Sequence, residues 1–105
     1  MSEKVVPFRE VRPTQALKLI RQLGQEPNPI GLSKHARRRL RQREVSWPQI
    51  RHAIKAGKAV EGPYQDHDGH WICRLEAHAA GKNVAVVVKM ENEERLKAVT
   101  VIVLT

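Results

Sequence analysis

Apolar residues recur at helical spacing in three stretches of the first half of this chain, and at alternate or consecutive positions in the second half. Between Thr14 and Gly24, the residues Ala16, Leu17, Ile20 and Leu23 fall on one side of a helix. Thr14, after Pro13, is placed to cap that helix and Gly24 to stop it. The following QEPNPIG holds two prolines and reads as a linker. A second helix is predicted from Ser33, a good N-cap, to about Arg43, with Ala36 and Leu40 as a thin apolar edge. A third follows Ser46, where Gln49 completes a capping box and Pro48 is tolerated in the first turn. Its buried side is read as Trp47, Ile50, Ala53 and Ile54, and Gly57 ends it.

From Lys58 the period changes to that of strands. Lys58 to Gly62 is a short strand candidate, and Pro63 with Asp68-Gly69 marks a turn region. His70 to His78 alternates, with Trp71, Cys73, Leu75 and Ala77 on one face and His70, Ile72, Arg74, Glu76 and His78 on the other. Val84 to Met90 and Leu96 to Leu104 are nearly continuous apolar runs, which suits central strands. Short turns between successive strands imply an antiparallel meander. The expectation is an α+β domain over residues 31–105. It has two or three N-terminal helices packed on a mainly antiparallel sheet of about four strands. An arm and helix over residues 1–30 precede it, the arm extended, with Val5, Val6, Phe8 and Val11 set between charges.

A chain of 105 residues with 41% hydrophobic residues supports one modest core. Its longest apolar runs are too short to span a membrane, and its N-terminus lacks the apolar stretch of a signal peptide. The single cysteine, Cys73, has no internal partner, which favours a reducing cytoplasm.

Charge changes the picture. The net charge is +8, and the excess lies almost entirely between Ser33 and Lys58, where nine basic residues face one acid, Glu44. Such clustering favours a polyanionic partner, nucleic acid above all, over a merely solvated basic face. Lys34, Arg37, Arg38, Arg41, Arg51 and Lys55 are the candidate nucleic-acid-binding residues. On the second helix, His35, Arg39 and Arg43 recur at steps of four and fall together. An imidazole above two guanidinium groups is a place to hold a phosphate.

The pattern H-A-x-x-R-x-x-x-R, an apolar-Ser turn, a helix ending in Gly and a closing V-T-V resembles an uncharacterised bacterial domain family related to the RelE and BrnT toxins. The residues that carry the likeness are His35, Ala36, Arg39, Arg43, Val45, Ser46, Gly57, Val99, Thr100 and Val101, within a stretch from about Leu32 to Thr105. The resemblance implies a RelE-like sheet flanked by helices. It also implies a toxin that acts on RNA, ribosome-bound messenger RNA included, and is neutralised by an antitoxin, which the charge predicts to be acidic.

Metal-free RNA cleavage needs a base for the 2′-hydroxyl, cations for the phosphorane and an acid for the leaving oxygen. His35 suits base or acid, and Arg39 and Arg43 match phosphate oxygens. Arg74 and Thr100 complete the catalytic set where their faces meet the helix. No metal or cofactor is required. The competing reading is that His35 only bonds a backbone group and the arginines are solvated, which leaves a binding module with no catalysis. His67, His70, Cys73 and His78 are metal-type ligands, but strand alternation separates Cys73 from His70 and His78. Cys73 reads as a buried small hydrophobe rather than a nucleophile. A helix-turn-helix reading, with Gln49, Arg51, His52 and Lys55 facing bases, ranks third. Trp47 and Trp71 are assigned to the core, and Tyr64 to a loop.

Overall fold

The computed structural model describes residues 11–104, so the expected arm over residues 1–10 lies outside the described residues. Helix α1 (Pro13–Leu23) is followed by a short strand β1 (Ile30–Leu32), then helices α2 (Lys34–Arg41) and α3 (Trp47–Ala56). Strands β2 (Lys58–Gln65), β3 (Trp71–Ala79), β4 (Lys82–Asn92) and β5 (Arg95–Val103) complete the chain. The result is an α+β fold with one five-stranded mixed sheet in the order β1-β5-β4-β3-β2. The last four strands form the expected antiparallel meander, and β1 adds to β5 in parallel.

Two expectations are corrected here. The sheet has five strands rather than about four, and a strand separates α1 from α2, so the helices do not form one N-terminal block. The fifth strand is the end of the segment read as a linker, where Ile30, Gly31 and Leu32 pair with Leu96, Lys97 and Ala98. Strand β2 also runs past Pro63 to Gln65. It is an edge strand with two register shifts, which tolerates a residue that cannot donate a ladder bond.

Helix starts follow local chemistry. Pro13 occupies the first turn of α1 and Arg12 is the N-cap, so Thr14 is an exposed helical residue rather than the cap. Ser46 and Gln49 form the predicted capping box: the Ser46 N–H donates to Gln49 Oε1 at 2.8 Å, and the Gln49 N–H donates to Ser46 Oγ at 3.3 Å. Ala80 and Gly81 both have positive φ and join β3 to β4 across the Ala79–Lys82 pair, a two-residue hairpin of the kind that matches strand twist.

All three helices contribute to one core. Ala16 and Ile20 of α1, Ala36 of α2, and Ile50, Ala53 and Ile54 of α3 pack with Trp71, Cys73, Leu75, Val84, Val86, Val88 and Val101 of the sheet. Directly paired residues share a face, so the opposite face carries Ile72, Arg74, Ala85, Val87, Lys89 and Thr100. Trp71 is buried at 3% exposure, as expected, but Trp47 is 38% exposed and Tyr64, on β2, 46%. Among the described residues no helix is long and apolar enough to cross a membrane.

Gly57 shows how tightly α3 meets the sheet. It has ordinary negative φ, yet a Cβ there would meet the Ala53 carbonyl oxygen at 2.3 Å and that of Glu76 at 2.9 Å. Both neighbours are backbone and cannot swing away. Gly57→Ala should therefore destabilise the protein by about 1–3 kcal/mol, read as a lowered urea midpoint with an unchanged slope.

Candidate nucleic-acid interface

Helix α2 leaves the sheet directly from β1, and two side chains fix how it is rolled. Ser33, the N-cap, accepts the Ala36 N–H at 3.1 Å and donates its hydroxyl to the Val99 carbonyl. Two residues on, His35 Nε2 lies 3.0 Å from the Val101 carbonyl oxygen. Because a carbonyl only accepts, Nε2 carries the proton, and in neutral His35 the lone pair is on Nδ1. The Ala36 side is buried in the core, as predicted for the apolar edge.

That roll decides which cations reach solvent. Lys34, Arg37, Arg38 and Arg41 are exposed, and their spacing of three, four and seven residues places them within a sector of about 100°. Among the described residues no carboxylate pairs with any of the four. The sequence held this signal in plain form. Arg38 and Arg41, with Arg39, occupy the last turn, where the helix dipole favours cations and offsets part of their mutual repulsion.

The other face of α2 is organised differently. Arg39 is half-buried and forms an ion pair with Glu44. The helix ends at Arg41, so Arg43 does not continue the row of His35 and Arg39. Its N–H donates to Leu40 O at 3.1 Å, while Glu44 N–H reaches back to Arg39 O at 3.1 Å. With φ at 58°, Arg43 is the left-handed residue of a Schellman ending, a position that glycine usually fills.

The remaining catalytic candidates lie apart from the helix. Arg74 pairs across the sheet with Val87, and Val87 with Thr100, while their neighbours Val86 and Val88 point into the core. Arg74 and Thr100 therefore share a row on the face opposite α2, and Arg74 Nε bonds Glu76 at 3.0 Å. The structure brings His35 and Arg39 onto one helix and gathers neither Arg74 nor Thr100 beside them.

Of the two candidates on α3, Lys55 is exposed and lines an open groove of 470 Å³ with Ser46, His52 and His78. Arg51 is committed within the protein. It donates to Gly24 O at 3.0 Å and Asn28 O at 2.8 Å, and its guanidinium lies 5.6 Å from the centre of the Trp47 ring. Gln49 is only 6% exposed and spends its amide on Ala79 O at 3.0 Å, which removes it as a base-reading residue.

A family model matches residues 32–103, from the last residue of β1 through β5. The chain belongs to this family, described as a domain of unknown function, DUF4258. No curated protein and no solved structure matches the chain. The DUF4258 segment thus contains α2, α3 and the four-stranded meander β2–β5, with α1 packed on the core from outside the match.

Two further groups bear on chemistry. Asp66, Asp68 and His70 bring possible ligand atoms within 4.8 Å of one another, a cluster that the spacing of histidines and cysteine did not suggest. Burial pushes the Asp66 carboxyl up, but the backbone N–H groups of His70 and Asp68, with Lys89 and His70, outweigh it and hold it below the ordinary value. Lys89 Nζ already lies 3.8 Å from that carboxylate. Cys73 is buried under the helices, and burial pushes its thiol up to about 11, against a smaller opposing effect of Arg21. This DUF4258 thiol is no nucleophile at neutral pH.

The left-handed Arg43 and the buried thiol each give an expectation. Arg43→Gly should stabilise the fold by up to about 1 kcal/mol by relieving backbone strain, measured as a raised urea midpoint. Cys73 holds its proton more tightly folded than unfolded. Its contribution is therefore complete below about pH 9 and lost as pH rises through about 11. Alkylation at pH 8 should run about a hundredfold slower on native protein than in denaturant, and a rate equal in both would contradict this burial.

Proposed function

We propose that this DUF4258 protein binds RNA through the exposed face of α2, with Lys34, Arg37, Arg38 and Arg41 on the phosphates and Lys55 extending the basic surface over α3. The observation that carries the reading is that these four helix cations share one sector and, among the described residues, have no carboxylate partner, while Arg39 and Arg51 are tied inside the protein. Like charges at these spacings cost a few tenths of a kcal/mol per pair, a cost that a polyanion removes. In the toxin-type form of this proposal, an acidic antitoxin covers the same face, and the setting is the cytoplasm.

Metal-independent cleavage is the second reading, favoured by one observation. The bond to Val101 holds the His35 ring and fixes the tautomer with its lone pair on Nδ1, as a general base requires. Arg39, one turn along α2, would supply a charge on exchanging Glu44 for a phosphate oxygen, and Arg43, Arg74 and Thr100 would then contribute only if the substrate wrapped beyond α2.

Binding of a single-stranded RNA, followed across salt concentrations, tests the proposal. Four phosphate contacts predict a log–log slope of about −3, falling by about 2 units in Arg37→Gln/Arg38→Gln/Arg41→Gln. An unchanged slope and affinity in that variant would falsify the interface. His35→Gln separates the second reading, because its amide can still donate to Val101 O while no longer taking a proton. Cleavage lost at unchanged affinity marks an enzyme, and intact RNA with the unaltered protein marks a binding module.

A further inference from the structure

Trp47 is a large apolar residue that the fold leaves outside its core. It is the first residue of α3 and keeps 38% of its surface exposed, whereas Ile50 and Ile54 on the same stripe are fully buried. Its ring is nevertheless held in place. The Arg51 guanidinium covers one side, and that guanidinium is itself fixed by two carbonyls, Gly24 O and Asn28 O, from the connection that follows α1. An aromatic ring braced on one side and partly open to solvent loses little conformational freedom when a second planar group stacks on it.

Its surroundings are cationic in both directions along the chain. Arg43 lies four residues before it, within about 14 Å by the reach of the backbone, and Arg41 ends α2 just beyond. Its chain neighbours Ser46 and Pro48 line the groove that also holds Arg51, His52, Lys55 and His78, with Glu26 as its one acid. A ligand that is both planar and polyanionic fits this setting, with rings for the indole and phosphates for the cations on either side.

We propose that Trp47 is a nucleobase-stacking site, which makes the preferred ligand single-stranded rather than duplex RNA. The proposal rests on the reading of α2 as an RNA-binding face and names the substrate class of that surface. In a duplex the base faces are already stacked on their neighbours, so only an unpaired base can lie on the indole. Arg51 is then a positioning residue: it braces the ring and makes no contact with phosphate.

Intrinsic fluorescence provides the test, because the chain has two tryptophans and Trp71 is buried at 3% exposure. A short oligouridylate, a blunt RNA duplex and inorganic polyphosphate are titrated separately at low salt. The single strand should quench the Trp47 emission, and the duplex and the base-free polyphosphate should not. Trp47→Ala should weaken single-strand binding about tenfold or more with the salt slope unchanged, and leave duplex binding as it was. Trp47→Phe should restore most of the affinity.

Single-strand binding without quenching, or with full affinity in Trp47→Ala, overturns the stacking site and leaves the basic interface standing. Equal quenching by polyphosphate shows a response to charge alone and also overturns it. Failure of all three polyanions to bind removes the RNA reading and the stacking site together. Quenching by a co-purifying acidic protein, with none by RNA, assigns the surface to a protein partner instead.

Discussion

Strand β5 is flanked on its outer side by a strand of only three residues, and the arrangement of the helices follows from that shortage. Beyond Ala98 the outer edge of β5 would present bare carbonyls to solvent or to another chain. Ser33 N–H extends the pairing to Ala98 O at 3.0 Å, its hydroxyl reaches Val99 O, and His35 takes Val101 O. These bonds seat the start of α2 against the sheet. Once the helix is rolled so that Ala36 is buried and His35 points at the strand edge, Lys34, Arg37, Arg38 and Arg41 can only face outward. The basic face is thus a geometric consequence of closing the sheet edge.

Much of this was legible along the chain. The capping box at Ser46, the stripe of Ile50, Ala53 and Ile54, and the alternation from Trp71 to Leu75 are each long enough to show a period. Strand β1 was not, because three residues after a proline-rich stretch show no alternation. The helix ending was missed for a different reason. A Schellman turn is usually announced by glycine, and here an arginine stands at the left-handed position, so the basic run reads as one helix through Arg43.

Trp47 illustrates how periodicity misleads at a helix end. It lies on the same stripe as the fully buried Ile50 and Ile54, but as the first residue of α3 it keeps 38% of its surface exposed. Burial depends on where an element begins relative to its neighbours, and spacing alone carries no such information. The failure to gather Arg74 with His35 has a similar origin. Alternation correctly put Arg74 opposite Cys73, but which of the two faces the helices would cover was decided by the larger apolar side chains, and they put Arg74 on the far side.

For His35, capping the strand edge is compatible with the proposed role of proton carrier. Both the neutral Nε2–H form and the imidazolium donate to Val101 O, so a change of charge on the ring leaves the cap in place. A structural role therefore does not by itself remove the histidine from chemistry. What limits chemistry is the supply of cations on its side of α2, where Arg39 lies one turn along and is held by Glu44. That pair is about one-third exposed, 34% for Arg39 and 37% for Glu44, and pairs of this exposure contribute about 1 kcal/mol or less. A phosphate that also gains the neighbouring helix cations can displace Glu44 at that cost. Assembly of a catalytic pair would then be driven by binding to the exposed face, and the basic interface comes first in either reading.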